Sequence, residues 1–195
     1  VYDTSTGADL TVLEEANEFI GRVEKGEKLP LFTSCCPAWV KFLENKYPEF
    51  VSNVSTCRSP MQMFASVIKQ QAVSGGKRHV HVAIMPCTAK KSEAKRDEFK
   101  VDGVPNVDYV LTTQEIIQMI KESGIVFEDL EPEAVDMAYG WMSGAAVIFG
   151  VTGGVTEAVL RRVSNNKSNV GLRQIAYTGI RGLNGVKETT IPFGD

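Results

Sequence analysis

Two cysteine-containing segments stand out because each joins an apolar run to the start of a predicted helix. Cys35 and Cys36 lie side by side in LFTSCCPAW (residues 31–39), and Cys87 lies in VAIMPCTAKK (residues 82–91). The amide groups and dipole at the start of a helix favour the thiolate form of cysteine, which is the form that binds metal. This placement predicts a metal centre, with iron–sulfur chemistry as the leading hypothesis.

The totals limit the class of protein. The chain has 195 residues, 43% of them hydrophobic, which is enough for one domain with a core. Its formal charge of −3 gives no reason to expect nucleic acid or an anionic membrane as a partner. No stretch approaches the ~20 apolar residues of a membrane span, and no secretory leader is visible. Four cysteines are too few for a disulfide scaffold, so we expect a reduced, intracellular protein.

Both ends of the sequence resemble interrupted elements. The first residue is Val1, and residues 1–4 are typical of the end of a strand. Residues 186–195 are typical of a strand that enters a hairpin turn. We therefore expect residues 1–195 to be a single partial domain from the middle of a longer protein.

Hydrophobic periodicity predicts alternating helices and strands. Strands are expected at about 29–32, 79–85, 108–111 and 145–149, and helices at about 11–25, 37–47, from 60, after 112 and from 152. Thr11 and Glu14 match a capping box at the start of the first helix. The alternation predicts an α/β fold of mainly parallel sheets flanked by helices.

A parallel sheet would bring the chemistry together. Cys36, Cys87 and the pair Gly153-Gly154 each follow the carboxyl end of a predicted strand. In open α/β sheets, ligands bind at that edge. We therefore expect the two cysteines to lie close in space although they are far apart in the chain.

The segments TSCCPAW (33–39) and MPCTAKK (85–91) resemble the first two signature motifs of the iron-only ([FeFe]) hydrogenases. The similarity covers essentially the whole chain, including residues 3–11, 144–154 and 181–187. It implies part of the catalytic domain that holds the H-cluster, a [4Fe–4S] cubane joined through a cysteine sulfur to a two-iron unit with CO, cyanide and a bridging dithiolate. The implied reaction is 2H⁺ + 2e⁻ ⇌ H₂, with ferredoxin or another low-potential carrier as electron partner. The implied location is the cytoplasm, or a hydrogenosome in a eukaryote.

The resemblance assigns the cysteines. Cys36 and Cys87 match two of the four cubane ligands, and Cys35 matches the proton donor beside the open iron site. The family's third motif, which supplies the other two ligands, is expected downstream of Asp195. Cys57 matches no family ligand. Because cluster binding needs a complete ligand set, the 195 residues alone are expected to be inactive and poorly stable.

The first helix carries a candidate proton relay. Glu15, Glu18 and Arg22 have the spacing of residues on one helix face. Composition alone favours a solvated face with a Glu18–Arg22 surface pair that contributes about 0.3–0.5 kcal/mol. The resemblance implies instead an acidic relay from solvent towards Cys35, in which Ser55 links the two glutamates. Carboxyl and hydroxyl groups suit this role because each can donate and accept protons.

The resemblance also implies contacts with the two-iron unit. Lys90 matches a lysine that holds a cyanide ligand, and Met85 an apolar wall. Ser59 and Pro60 match residues that line the dithiolate, and Phe149 matches a pocket aromatic. From the residues alone, Lys90 is an ordinary helix-surface lysine, Met85 fits core packing, and core packing suits Phe149 equally well.

Two other functions stay open. One is a eukaryotic-type cytosolic iron–sulfur assembly factor, which carries clusters without making hydrogen, and the other is a sensory hydrogenase-like protein with slow turnover. The thiol at Cys35 and the set of Glu15, Glu18 and Ser55 favour the enzyme. The glycine-rich residues 150–154 fit neither nucleotide-binding motif, which argues against a nucleotide.

Overall fold

The computed structural model describes residues 1–74, 79–137 and 139–164. Its helices are α1 (Ser5–Lys25), α2 (Pro37–Lys46), α3 (Pro60–Ser74), α4 (Ala89–Glu93), α5 (Thr113–Glu122), α6 (Gly144–Phe149) and α7 (Gly154–Val163). Its strands are β1 (Val82–Ile84), β2 (Lys100–Val101), β3 (Val104–Pro105) and β4 (Tyr109–Leu111), and short 3₁₀ helices cover Pro48–Asn53, Asp97–Phe99 and Phe127–Asp129. These residues form two compact units, one of residues 1–3 and 61–137 and one of residues 4–60 and 139–164. The helix-rich arrangement with a small parallel sheet confirms the α/β class.

In the first unit, a short parallel sheet leads towards Cys87. β1 pairs with β4 in a register that places Ile84 opposite Leu111. Ala83 is buried in the middle of β1, and both its neighbours are exposed. β1 is therefore shorter than the strand predicted over residues 79–85, and it has the alternating pattern of a half-buried strand.

Apolar side chains from α3, the sheet and nearby segments form the core of this unit. The buried members are Met61, Ala65, Ala83, Ala94, Val107 and Val110. The predicted strand at residues 108–111 is confirmed as β4. β2 and β3 form an antiparallel hairpin that was not predicted. Its turn residues Asp102 and Gly103 have φ values of 52° and 77°, as a tight two-residue hairpin turn requires.

In the second unit, α1 packs against α6 and α7. The contact with α7 buries Ala16, Val159 and Val163. α1 begins at Ser5, so the capping box predicted at Thr11 is wrong. The Thr11 hydroxyl lies inside the helix and donates to the backbone oxygens of Gly7 (3.0 Å) and Arg58 (3.1 Å). The buried hydroxyl of Thr11 is therefore satisfied by backbone oxygens and does not cap a helix start.

Residues 145–149 are helical, and the strand predicted there is wrong. Ser143 caps α6, since its hydroxyl oxygen accepts from the Ala145 amide, and its own amide donates to Asp9 of α1 at 2.7 Å. A run of five apolar residues is compatible with both a strand and a short buried helix. The Ser143 cap favours the helix. Gly153-Gly154 consequently follow a helix and not the end of a strand.

We expect Gly154→Ala to destabilise the protein by about 1–3 kcal/mol. A Cβ at Gly154 would lie 1.7 Å from the Ile148 carbonyl oxygen, so α6 and α7 would have to separate. Gly144→Ala is the matched control, because its Cβ would meet nothing within 4 Å. Denaturant unfolding of both variants checks this; equal midpoints for the two variants would contradict it.

Some predictions lie outside the described residues. These are the strands expected near the C-terminal end and the segment 181–187. Among the helices of the described ranges, none combines the length and the hydropathy that a membrane crossing requires.

Candidate functional site

One face of α1 carries three ionisable side chains, as the spacing predicted. Glu15 is 1% exposed and Arg22 is 8% exposed. Arg22 Nη2 lies 2.5 Å from Glu18 Oε1, and this pair is also largely shielded from solvent. The solvated surface pair that composition favoured is therefore wrong.

Arg22 forms hydrogen bonds between the end of α1 and residues 53 and 54, which are distant in the sequence. Its Nη1 donates to the carbonyl oxygens of Lys28 at 3.0 Å and Asn53 at 3.1 Å, and its Nη2 donates to that of Val54 at 2.9 Å. The planar guanidinium suits this use, since it presents several donors in a fixed geometry. Arg22 thus holds residues 53–57 (the 53–57 segment) beside the acidic face of α1.

The 53–57 segment supplies donors to Glu18. The Ser55 hydroxyl donates to Glu18 Oε2 at 2.8 Å, the Thr56 amide at 3.0 Å and the Cys57 thiol at 3.6 Å. Burial alone would raise the pKa of Glu18, but the hydrogen bonds from Ser55 and Arg22, the Arg22 charge and the Thr56 amide outweigh it and hold the pKa below 4.5. Glu18 is therefore a fixed carboxylate. Sequence reasoning missed Thr56 and Cys57, and a backbone amide leaves no signal in a sequence.

The pKa of Glu15 is shifted in the opposite direction to that of Glu18. Both its carboxyl oxygens are buried, with no hydrogen-bond partner within the described residues. Burial raises the pKa of Glu15 from 4.5 to about 7, opposed by the nearby Ser55 hydroxyl and Ser34 amide and aided by the charge on Glu18. Two carboxyl groups on one helix face thus have pKa values pushed apart, and Glu15 can gain or lose a proton near neutral pH.

The raised pKa of Glu15 predicts how stability depends on pH. The folded protein keeps this proton from about pH 4.5 to about pH 7, where the unfolded chain has lost it. The stability that protonated Glu15 gives the folded protein is therefore fully present below pH 4.5 and is lost as the pH rises through 7. The loss in the free energy of unfolding is about 3 kcal/mol. We expect Glu15→Gln to lose less stability than the parent over this range in urea unfolding. Parallel stability curves for the two proteins would contradict the assignment.

The loop that carries Cys35 and Cys36 is also held by the 53–57 segment. The strand predicted to end at Phe32 is reduced to one parallel bridge, between Phe32 and Val54. The Ser55 amide donates to the Phe32 carbonyl at 2.7 Å, and the Ser34 hydroxyl donates to the Cys57 carbonyl at 2.5 Å. One segment therefore positions both the Glu18 carboxylate and the cysteine loop. Ser34 was not identified from the sequence.

The cysteines lie near helix starts, as predicted. Cys36 is the exposed N-cap of α2, with Pro37 at the first helical position, and Cys35 is half-buried. Cys87 is half-buried just before α4, and its carbonyl accepts from the Lys90 amide at 3.2 Å. Cys36 belongs to the second unit and Cys87 to the first. Nowhere in the described ranges do three or more His, Cys, Asp or Glu side chains form a metal-binding group.

Lys90 forms a shielded ion pair. Its Nζ lies 2.8 Å from Glu93 Oε2, and the two side chains are only 12% and 4% exposed. The alternative of an ordinary surface lysine is therefore wrong. Sequence reasoning missed Glu93, although its position three residues after Lys90 on a helix is a usable signal.

The remaining predicted contact residues lie near the ends of elements. Ser59 is buried directly before α3, which begins with Pro60. Met85 follows β1 and packs against the core of the first unit. Phe149 is the last residue of α6 and is half-buried.

Comparisons with known proteins agree with the predicted family and with the fold. The family model described as "Iron only hydrogenase large subunit, C-terminal domain" matches residues 1–195. Iron hydrogenase 1 of Clostridium pasteurianum is 45% identical over 100% of this chain and 35% of its own length. Cytosolic iron-sulfur assembly component 3 of Pongo abelii is 32% identical over 93% of this chain and 41% of its own length. A solved variant of apo [FeFe]-hydrogenase HydA1 from Chlamydomonas reinhardtii matches with a TM-score of 0.71 and 46% identity, over 83% of this chain and 42% of that one.

The chain belongs to the family defined by the C-terminal domain of the iron-only hydrogenases. It spans less than half the length of the relatives named above. The predicted family and α/β fold are thereby confirmed. The relatives of this chain include both a hydrogenase and an iron–sulfur assembly component.

Proposed function

We propose that the complete protein catalyses the reversible reduction of protons to H₂, and that residues 1–195 contribute two cluster ligands and the proton relay. The observation that carries the proposal is the pair of glutamates on α1. Glu18 is held as a carboxylate by Arg22 and Ser55, whereas buried Glu15 has a pKa of about 7. A protein that only carries clusters has no evident use for such a pair.

Cys36 and Cys87 are the proposed ligands of the cubane. Both are cysteines without a disulfide partner near the start of a helix, and cysteine sulfur is the usual protein ligand of iron–sulfur clusters, so their chemistry fits iron coordination. When bound, the H-cluster would supply the iron site at which electrons and protons combine to H₂. Lys90, Met85, Ser59, Pro60 and Phe149 are the proposed contacts around its two-iron part.

Protons would travel along groups of this chain. Glu18 receives them at the outer end, where Arg22 holds its carboxylate, and the Ser55 hydroxyl connects Glu18 towards Glu15. Ser55 suits this position because its oxygen accepts from the Cys57 amide at 3.1 Å while its proton points to Glu18 at 2.8 Å. Cys35 is the proposed last proton donor, and a thiol is suited to it because its reference pKa of about 8.5 allows both uptake and release. We propose ferredoxin or another low-potential carrier as electron partner and the cytoplasm as location.

A second candidate function is iron–sulfur cluster assembly, which the 32% identity to an assembly component supports. A sensory hydrogenase-like role with slow turnover is a further alternative. Cys35 and the Glu15–Ser55–Glu18 set distinguish these alternatives, since neither cluster delivery nor slow sensing needs a fast proton path. Their presence favours the enzyme.

The test is hydrogen evolution by the complete, cofactor-loaded protein with a reduced viologen as electron donor. The proposal expects turnover that Glu18→Gln lowers strongly without changing the iron content. A loaded protein that transfers its cluster to an acceptor apoprotein and makes no hydrogen would support the assembly function and overturn the proposal.

A further inference from the structure

Cys57 lies at the centre of the hydrogen bonds around the acidic face, although no ligand or relay role was predicted for it. Its thiol faces Glu18 Oε2 at 3.6 Å, its amide donates to Ser55 Oγ at 3.1 Å, and its carbonyl accepts from the Ser34 hydroxyl at 2.5 Å. One residue thus touches the relay carboxylate, the relay hydroxyl and the cysteine loop.

The backbone of Cys57 orients the Ser55 hydroxyl. Ser55 Oγ accepts the Cys57 N–H, so its own proton is free to point at a carboxylate, and it does so towards Glu18 at 2.8 Å. The Ser34 bond to the Cys57 carbonyl keeps this peptide in place. The direction of the Ser55 proton therefore depends on where Cys57 is held.

The side chain of Cys57 is a permanent donor. Burial raises the pKa of the Cys57 thiol to about 12, against an opposing hydrogen bond with Ser55 and with help from the charges on Glu15 and Glu18. The thiol therefore stays protonated at neutral pH and donates to Glu18 without exchanging its own proton. The same feature makes it a poor nucleophile and a poor metal ligand.

We infer that Cys57 is a positioning residue of the proton relay, whose thiol holds the Glu18 carboxylate in place and whose backbone directs the Ser55 hydroxyl towards it. This inference rests on the proposed function, and it adds a third side-chain donor to the carboxylate beside Ser55 and Arg22. The titratable groups that act on the thiol are Glu15 and Glu18, and Arg22 contacts the same Glu18 carboxylate.

The test uses Cys57→Ala and Cys57→Ser in the complete, cofactor-loaded protein, with exposed Ser52→Ala as control. Cys57→Ala removes one donor from the carboxylate and is expected to raise the titration midpoint of Glu18 by about 0.5–1 in pH. The rate of hydrogen evolution should fall about 2–10-fold, the effect of one net hydrogen bond, and the pH profile should move in the alkaline direction. Cys57→Ser keeps a donor and should restore both.

Infrared titration of the carboxyl band of Glu18, assigned with Glu18→Gln, separates this inference from the proposed function. If the wild-type protein makes no hydrogen but Cys57→Ala still moves the Glu18 midpoint, the function fails and the positioning role stands. If the wild-type protein makes hydrogen and Cys57→Ala leaves the midpoint and the pH profile unchanged, the inference is overturned. An alanine variant that does not fold leaves the serine variant as the test, and a serine variant with a displaced midpoint would overturn the inference.

Discussion

Replacing Cys35 by alanine in the complete protein is expected to lower the rate of hydrogen evolution by about 10²–10⁴-fold, the usual contribution of a positioned proton donor. The thiol is the proposed last proton-carrying group of this chain, and alanine can neither bind nor release a proton. Cys35→Ser should not restore the rate, because a serine hydroxyl releases its proton far less readily than a thiol.

Iron content and infrared bands of the bound cofactor are the controls for this variant. Both should match the wild-type protein, since Cys36 and not Cys35 is the proposed ligand. A Cys35→Ala protein with full iron content and an unchanged rate would show that protons reach the cofactor by another route.

Arg22→Ala is expected to destabilise the protein by about 3–5 kcal/mol, as is typical when one partner of a buried ion pair is removed. The substitution leaves the Glu18 carboxylate without its cation and three backbone oxygens without their guanidinium donors. It should also loosen the 53–57 segment. Denaturant unfolding of the complete protein measures the loss, and Arg22→Lys should recover only part of it because an ammonium group lacks the planar fork.

Lys100→Ala is the matched control for Arg22→Ala. Lys100 pairs with Asp97, whose side chain is 93% exposed, so its removal should change stability by about 0–1 kcal/mol. Equal losses for the two substitutions would contradict the buried role of Arg22.

The shared face of Glu15, Glu18 and Arg22 could be predicted because helical spacing is a local property of the sequence. Their burial could not, since charged residues on a helix face are usually solvated and the shielding comes from a remote segment. The resemblance of the cysteine motifs pointed to the relay, whereas composition pointed to the surface. The donors from Thr56 and Cys57 depend on the path of the backbone, which no motif records.

The errors in the fold have a common cause. Residues 145–149 and the run ending at Phe32 are short apolar segments, for which length and composition fit a strand and a helix or loop equally well. α6 is helical because Ser143 caps it against Asp9, a contact between residues distant in the chain. Thr11 similarly matches a cap in sequence and is satisfied inside α1 by Arg58.

The motif identified Lys90, but it did not identify the residue that holds Lys90 in place. The family resemblance marked the lysine, but its partner Glu93 was not identified from the sequence. The ion pair at 2.8 Å holds the lysine in one position in a shielded site. Residues that orient a functional group are therefore the part of this site that the structure adds.

The most direct test of the account is isotope exchange between D₂ and water by the complete, cofactor-loaded protein. The reaction needs no electron partner, so it reports on the cofactor and the proton path alone. We predict that the wild-type protein forms HD and that Glu15→Gln, with unchanged iron content, forms it at least about 100-fold more slowly. A loaded wild-type protein that forms no HD, or a Glu15→Gln protein that forms it at the wild-type rate, would contradict the account.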